Sequence, residues 1–276
     1  MNARAPHRTS PAPIKDRRTT AQRMAIALAG PVVGFALLLG LWKTGSLSMP
    51  RVPPPEQTLS AALRLFSDPF HDYGGHDIGI AWNIAASLGH LLAGYTPALM
   101  LGLPAGIALG RLPMLSAVSM PVISLFRPVS PLAWLPFGLL IFQTQQHATT
   151  WAIFVCSLWP VMLSTAEGIR KVPRDYMNVG KVLGLSEWRA FKRILLPSAL
   201  PNMVSGARQA LGSAWIVTIA AEMFMGGRGM GSWLRHELVS LNGQNILIAI
   251  LVIGGLGLLL DLPATMLKRK LDRQKI

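Results

Sequence analysis

The sequence predicts an all-α membrane protein, a polytopic helical bundle of six transmembrane helices, and three observations lead to that class. Hydrophobic residues make up 51% of the chain and charged residues 14%, whereas soluble domains carry about 25% charged residues. The apolar residues are gathered in runs close to the ~20 residues that a helix needs to cross a bilayer. The runs also lack the period-two alternation of membrane barrel strands.

The six predicted spans cover residues 24–42, 82–110, 114–143, 149–167, 202–224 and 246–267. A basic, proline-rich tail (1–23) precedes them and is expected to be disordered. Residues 24–80 hold the first span and an outer segment, in which 56–66 has the apolar spacing of an interfacial helix. The core of the bundle is 81–267, and a basic C-terminal segment (268–276) follows it.

Two of the spans carry small residues at every fourth position. The sets are Gly94, Ala98, Gly102, Gly106 and Gly110 in the second span, and Gly206, Ala210, Ala214 and Thr218 in the fifth. Small residues at this interval form a flat stripe that another helix can approach closely. We interpret both stripes as packing surfaces rather than binding sites.

The third predicted span is interrupted by proline, at Pro121, Pro128, Pro131 and Pro136. Proline lacks the backbone N–H and clashes with the preceding turn, so we do not expect a straight helix. Broken helices persist at membrane depth where they pack within protein or line a watery cavity. The sequence therefore predicts a broken third helix.

Positive charge is concentrated on one side of the predicted bundle. Most of the 26 Lys and Arg residues lie in the N-terminal tail, at Arg111, in the loop 168–197 or in the C-terminal segment. Cytoplasmic loops carry such an excess, so both termini are predicted to be cytoplasmic in a bacterial inner membrane. The charges flank apolar runs, and no basic stripe with interleaved aromatic residues occurs. The net charge of +14 therefore predicts contact with membrane lipid and no nucleic-acid binding.

Catalytic and cofactor motifs are missing from the sequence. Cys156 is the only cysteine, which excludes an intrachain disulfide and a thiolate metal site, and we interpret it as a small buried residue. The six histidines show no metal-ligand spacing. Gly180-Lys181 is followed by Val182 instead of Ser or Thr, so it is not a nucleotide-binding Walker A loop. We expect no enzyme activity, metal or cofactor.

The loop 168–197 carries the most specific motif in the chain. The motif consists of Asn178-Val179-Gly180, three residues, Gly184, nine residues, Ile194, one residue and Leu196-Pro197. This spacing resembles the EAA loop of ABC importer permeases, which occupies the same place among the spans. The resemblance implies the MetI-like permease fold, with ATP bound on a separate subunit. The glutamate of the family motif is replaced by Asn178, whereas the residue at position 180 remains small.

In the resembled family this loop forms a coupling helix that docks on the ABC ATPase subunit, and we assign that role to the loop as a whole. Ser186 can cap a helix start, Gly184 permits a sharp turn, and Trp188 and Phe191 offer apolar anchors. An ordinary amphipathic loop is the alternative. The resemblance also implies a periplasmic solute-binding protein and a second, identical permease copy as partners.

Four further stretches resemble the nitrate, sulfonate, taurine and bicarbonate group of these permeases. They are residues 126–136, 143–146, 172–179 and 215–231, within an overall resemblance over 57–267. The stretches 143–146 and 172–179 are more similar to nitrate-type members than to sulfonate-type members. The resemblance therefore implies import of a small anion. Nitrate, or nitrite, is the first candidate, and taurine, alkanesulfonate, bicarbonate and cyanate are the alternatives.

Arg127 is the candidate residue for contact with such an anion. It lies about 13 residues into the third span, near mid-bilayer at ~1.5 Å per residue. A charge there costs roughly 2.5–3.5 kcal/mol and marks a pathway or a buried pair. The guanidinium suits a small oxyanion because its fork offers planar, bidentate donors. The other pathway candidates are Pro128, Pro131, Trp134 and Glu222. The alternatives are an Arg127–Glu222 ion pair and, for Glu222, a helix-end hydrogen bond.

A secondary transporter is the alternative from another class. It would need its own coupling-ion site, usually acidic residues in the spans of repeated halves. The sequence shows no internal repeat and offers Glu222 and Asp261 as span acids. We interpret Asp261 and Arg208 as structural.

Overall fold

The computed structural model of the protein describes residues 20–49, 52–74 and 78–273. Over these residues the chain is almost entirely helical, with one isolated β-bridge between Asp72 and Ile78. The chain divides into two compact units, residues 1–55 and 56–276. The predicted N-terminal tail lies outside the described residues as far as residue 19.

The first unit consists of one long helix, α1 (Thr20–Ser48), and the segment that follows it. The apolar part of α1 is Val32–Ser48, which is shorter than a complete span. Trp42 Nε1 donates a hydrogen bond to Pro53 O at 3.0 Å and ties the end of the helix to the proline-rich segment after it. The first predicted span therefore corresponds to α1, which continues beyond Trp42.

The second unit holds the other helices of the described residues. In chain order they are α2 (Pro55–Ser67), α3 (Ile80–Arg111), α4 (Pro113–Phe126), α5 (Trp134–Phe142), α6 (Gln145–Arg170), α7 (Arg174–Val182), α8 (Glu187–Ala190), α9 (Leu196–Met225), α10 (Met230–Val239) and α11 (Gly243–Arg273). A 3₁₀ turn, Pro131–Ala133, precedes α5, and a π turn, Phe191–Leu195, joins α8 to α9.

Three of these helices, α3, α6 and α11, are long and apolar enough to cross a membrane by themselves. Two further candidate spans are bent pairs: α4 with α5 at 88°, and the helix running from α8 through α9 with α10 at 49°. With α1 these make six apolar helical segments among the described residues, as predicted. The break before α5 confirms the broken third helix, and Pro131 begins the 3₁₀ turn at that break.

The small-residue stripe of α3 packs against α6, as predicted. Gly94 and Gly106 are buried, and a Cβ atom at these positions would lie 2.6 Å from the Cβ atoms of Ile153 and Thr165, respectively. A larger residue would push the two helices apart. On α9 the stripe residue Ala214 is likewise fully buried. Close packing of α3, α6 and α9 thus forms the frame on which the polar sites are built.

Helix α2 is amphipathic, and only one of its faces is buried. Ala61 and Leu65 pack into the main apolar core, whereas Leu59, Leu63 and Phe66 are exposed. The structure therefore confirms a helix in this segment. Its contact with the membrane interface stays a prediction.

Arg208 on α9 and Asp261 on α11 form a two-point ion pair. Arg208 Nε and Nη2 each donate to one Asp261 carboxylate oxygen at 2.6 Å. Thr265 Oγ1 adds a hydrogen bond to the same carboxylate at 3.2 Å. The pair ties α11 to α9 and confirms the structural interpretation of both residues.

Candidate functional site: the coupling segment and the polar cavities

Two arginines, Arg111 and Arg170, link helices at the end of the core that carries the basic loop, which we call the inner end. The Arg111 guanidinium lies 5.0 Å from the centroid of the Phe191 ring. Arg170 Nη2 donates to Leu109 O at 3.1 Å and to Ser116 Oγ. These contacts join the adjacent ends of α3, α4 and α6 to the motif loop. Arg111, Arg170 and the motif loop thus gather at one end of the bundle.

The two motif glycines have separate roles. Gly184 has a φ of +66°, in the left-handed region that favours glycine, and makes the turn between α7 and α8. Gly180 is buried, and a Cβ atom there would lie 3.0 Å from Ile194 Cδ1. Leu185 N also donates to Gly180 O at 3.0 Å. The small residue and the isoleucine of the motif therefore form a single packing contact.

Two details of this segment differ from the prediction. Ser186 occupies the N-cap position of α8, but its hydroxyl makes no capping bond and instead accepts from Arg189 Nε at 3.2 Å. Phe191 is 9% exposed and packs with Ile169 and Leu195, so it is not an exposed anchor. The reason is that α8 continues into α9 and places this ring against the bundle, where burial is worth about 1.5–3 kcal/mol.

Trp188, in contrast, is exposed, and it belongs to a larger apolar surface on α7, the following turn and α8. We call this surface the docking patch: Tyr176, Val179, Val182, Leu183 and Trp188, each more than half exposed. Asn178 is also exposed, and Leu196 and Pro197 form the first turn of α9. Exposed apolar patches of this kind mark interaction sites.

A polar cavity of 420 Å³ lies where α4 breaks before α5, against α6 and α9. It brings together three of the predicted pathway residues, Arg127, Pro131 and Trp134, whereas Pro128 is not in its lining. We call it the central cavity. Its lining also includes Cys156, Ser164, Glu167, Gln209 and Ser213.

Arg127 provides the unbalanced charge of the central cavity. It stands at the C-cap of α4 and is exposed. Glu167, the cavity carboxylate, lies 3.6 Å from Lys171 Nζ and is therefore already paired. Over residues 20–49, 52–74 and 78–273 no carboxylate forms an ion pair with Arg127. The cavity thus presents a free guanidinium to any molecule that enters it.

Sequence reasoning missed several residues of this cavity. On α6, Cys156, Ser164 and Glu167 lie at intervals that keep them on one helix face, and Gln209 and Ser213 do so on α9. A search for polar residues at helical spacing within the apolar spans could have found them. Cys156, interpreted as a small buried residue, is only half-buried and lines the cavity.

Glu222 lies at the end of the core opposite the basic loop, which we call the outer end, and its side chain is 1% exposed. Its carboxylate accepts hydrogen bonds from Ser87 Oγ at 2.7 Å and from Gly231 N at 2.9 Å, and its Oε1 lies 2.9 Å from His90 Nδ1. The bond from Gly231, in the first turn of α10, is the helix-end bond that the sequence left open. The alternative ion pair between Glu222 and Arg127 does not form.

The loop before α10 completes this buried network, which we call the outer knot. Gly229 has a φ of +142°, and a Cβ atom there would overlap the Glu222 carboxylate. Gly229 N donates to Asn83 Oδ1 at 3.2 Å, and Met230 N donates to Ser87 Oγ at 2.8 Å. The knot thus fastens α3, α9 and α10 to one another.

Comparison with known proteins places this architecture in a family. Residues 98–275 match the family described as binding-protein-dependent transport system inner membrane component. The bicarbonate transport system permease protein CmpB of Synechocystis sp. is 40% identical over 84% of this chain and 84% of its own length. The nitrate import permease protein NrtB of Leptolyngbya laminosa is 35% identical over 83% of this chain and 82% of its own length.

A solved structure shows the same fold. A chain of the MetNI methionine ABC transporter in an inward-facing conformation superimposes with a TM-score of 0.58 at 18% identity, covering 70% of this chain and 95% of that chain. At this identity the likeness concerns the fold alone, and it confirms the predicted MetI-like helical bundle. This chain therefore belongs to the family of binding-protein-dependent transport system inner membrane components.

Proposed function

We propose that the chain is the permease subunit of an ATP-driven importer for a small, singly charged oxyanion, with nitrate as the first candidate. The observation that carries the proposal is the free Arg127 guanidinium in the central cavity. An unpaired charge within a span is costly and marks a substrate pathway. The guanidinium fork matches two oxygens of a planar anion, which supports an oxyanion as cargo.

The charges of the central cavity favour some anions over others. Nitrate and bicarbonate are both planar and carry one negative charge, so Arg127 suits either. Taurine carries an ammonium group that needs a carboxylate partner, and Glu167 is already paired with Lys171. The relative named as a bicarbonate permease supports bicarbonate as the second candidate.

Each end of the bundle is suited to a different partner. The docking patch offers apolar side chains to an ABC ATPase subunit, on which ATP is bound and hydrolysed. The basic inner end faces the cytoplasm, with both termini on that side, and a periplasmic solute-binding protein meets the outer end. A second, identical copy closes the exposed side of the central cavity, where Arg127 is exposed in the single chain.

Uptake by whole cells tests the cargo. Cells lacking the gene, and the same cells with the gene restored, are given labelled nitrate, bicarbonate or taurine in parallel. Loss and rescue of nitrate uptake alone supports the first candidate, and loss and rescue of bicarbonate uptake alone supports the second. Loss of taurine uptake instead would contradict the assignment from Arg127, and an unchanged uptake of all three would contradict the proposal.

The role of Arg127 is tested by Arg127→Lys, which keeps the charge and removes the fork. Losing one of two charge-assisted hydrogen bonds should lower nitrate transport by about tenfold or more in vesicles holding the complete transporter. Arg235→Lys is the matched control, because Arg235 is an exposed arginine on α10 outside the cavity. Equal transport and selectivity in both variants would rule out bidentate contact at Arg127.

A further inference from the structure

Three uncharged polar side chains line the central cavity together with Arg127. They are Ser164 on α6 and Gln209 and Ser213 on α9. Gln209 and Ser213 are four residues apart, so they share one helix face and lie about 6 Å apart along the helix axis. Ser164 lies where α6 and α9 pack closely, because a Cβ atom at Gly206 would overlap its side chain. The three side chains therefore lie along the contact between these two helices.

These three side chains differ from other polar residues of the same helices in their hydrogen bonding. Ser157 on α6 and Thr218 on α9 are 0% exposed, and each hydroxyl donates to the carbonyl oxygen four residues before it, at 2.7 Å and 2.9 Å. Over residues 20–49, 52–74 and 78–273, the three cavity side chains make no hydrogen bond to the protein. Their N–H and O–H groups therefore remain available to a molecule in the cavity.

A planar anion with three oxygens needs more donors than one arginine fork supplies. The fork of Arg127 binds two oxygens, and the third oxygen needs a donor from another group. Amide and hydroxyl groups can donate to it without adding charge. The charged groups of the cavity and its edge are Arg127, Glu167 and Lys171, which pairs with Glu167 at 3.6 Å. Two positive charges and one negative charge leave one positive charge, which a singly charged anion neutralises.

We propose that Gln209 and Ser213, with Ser164 across the helix contact, are uncharged ligands of the anion and donate to the oxygen that Arg127 leaves unbound. This inference rests on the proposed anion import and names further binding residues in the same cavity. Nitrate has no proton and only accepts hydrogen bonds, whereas bicarbonate also carries an O–H group. An amide or a hydroxyl can donate to the one and accept from the other, so these residues serve both planar anions.

The test measures how nitrate stabilises the complex of permease and ATPase subunits. The solute-binding protein is left out because it would bind the anion itself. A ligand that binds the folded state raises the unfolding temperature by an amount that depends on its concentration and dissociation constant. Nitrate is compared with chloride at equal ionic strength, so that only the rise specific to nitrate is counted. Gln209→Met should need about tenfold more nitrate for the same rise, and Ser213→Ala about threefold more.

A third variant distinguishes a binding role from a structural one. Gln209→Glu keeps the size of the side chain, but its carboxylate only accepts hydrogen bonds and offsets the charge of Arg127, so the rise specific to nitrate should disappear. Gln57→Met is the matched control, because Gln57 is exposed on α2 outside the cavity, and it should respond as wild type does. Without nitrate, Gln209→Met and Ser213→Ala should unfold near the wild-type temperature, since neither side chain bonds to the described protein.

Equal responses to nitrate in wild type, Gln209→Met and Ser213→Ala would overturn the inference, and so would a wild-type complex that gains nothing from nitrate beyond the effect of chloride. Uptake by whole cells decides the cargo separately. Should the cells still import nitrate after either result, only the assignment of these ligands is lost. If the variants respond as expected but the cells import bicarbonate and no nitrate, the first candidate cargo is lost and the ligands stand.

Discussion

The two ends of the core differ in how far their characteristic side chains are exposed. At the outer end Glu222 is 1% exposed, and its carboxylate is bonded to residues of α3 and α10. At the inner end the docking patch leaves Trp188 68% exposed and Val182 87% exposed. The hydrogen bonds of the Glu222 carboxylate at the outer end are therefore made within one chain, whereas the docking patch at the inner end presents exposed apolar side chains. Substitutions at the two ends should differ accordingly in what they disturb.

The largest effect is expected at the outer knot. Glu222→Ala leaves Ser87 Oγ and the Gly231 N–H, which are buried, without their common acceptor. Each buried donor left without an acceptor costs roughly 1–3 kcal/mol, so we expect little folded protein. The measurement is the yield of monodisperse protein in detergent, together with its apparent unfolding temperature.

A matched substitution separates charge from shape at this position. Glu222→Gln keeps the size of the side chain but turns an amide group toward donors, so it should destabilise less than Glu222→Ala. Gly229→Ala should disturb the same knot from the other side, because its Cβ atom would overlap the carboxylate. If Glu222→Ala, Glu222→Gln and Gly229→Ala all unfolded at the wild-type temperature, the outer knot would not stabilise the outer end.

An intermediate effect is expected at the docking patch, and it should spare the fold. Trp188→Ala removes an exposed ring, so the isolated chain should unfold at the wild-type temperature. Its association with the ATPase subunit should weaken by about 2 kcal/mol, roughly 30-fold, as is typical for a tryptophan in an interface. Co-purification and ATPase activity of the reconstituted complex measure this loss.

The control for the patch is Leu241→Ala, since Leu241 is 83% exposed at the outer end. That variant should associate with the ATPase subunit as wild type does. Normal association and coupling in Trp188→Ala combined with Val182→Asp would rule out docking through this surface. The comparison of the two ends would then reduce to a difference in exposure without functional meaning.

The inner end was more predictable from sequence than the outer end. Chain-local patterns indicated the spans, the proline break and the loop motif, because helices and turns depend on neighbouring residues. The outer knot has no such pattern: Ser87 and Glu222 are 135 residues apart and meet only through tertiary packing. The sequence offered the helix-end bond of Glu222 only as an alternative, and nothing in it linked His90 to that residue.

The central cavity and the burial of Phe191 also depend on tertiary packing, which local sequence patterns do not predict. The prolines correctly indicated that Arg127 lies at a break in the third helix. The opposite walls come from α6 and α9, and their relative rotation depends on the packed bundle. Phe191 looked like an anchor because it follows Trp188 closely in an amphipathic loop. Its burial depends on the direction in which α8 enters α9, and no local pattern specifies that direction.

The smallest effect is expected within the motif itself, where Gly180 packs on Ile194. Gly180→Ala should be neutral or slightly stabilising, because alanine favours the helix by about 0.5–1 kcal/mol and the nearest atom is the mobile end of Ile194. Gly180→Leu should overpack this contact and cost about 1–3 kcal/mol, and Ile194→Ala in the same chain should restore part of that loss. Thermal unfolding is measured for Gly180→Ala, Gly180→Leu, Ile194→Ala and the double variant Gly180→Leu with Ile194→Ala. The last three give the coupling free energy between the two positions. Additive effects of Gly180→Leu and Ile194→Ala would mean that the packing of Gly180 on Ile194 does not explain the motif spacing.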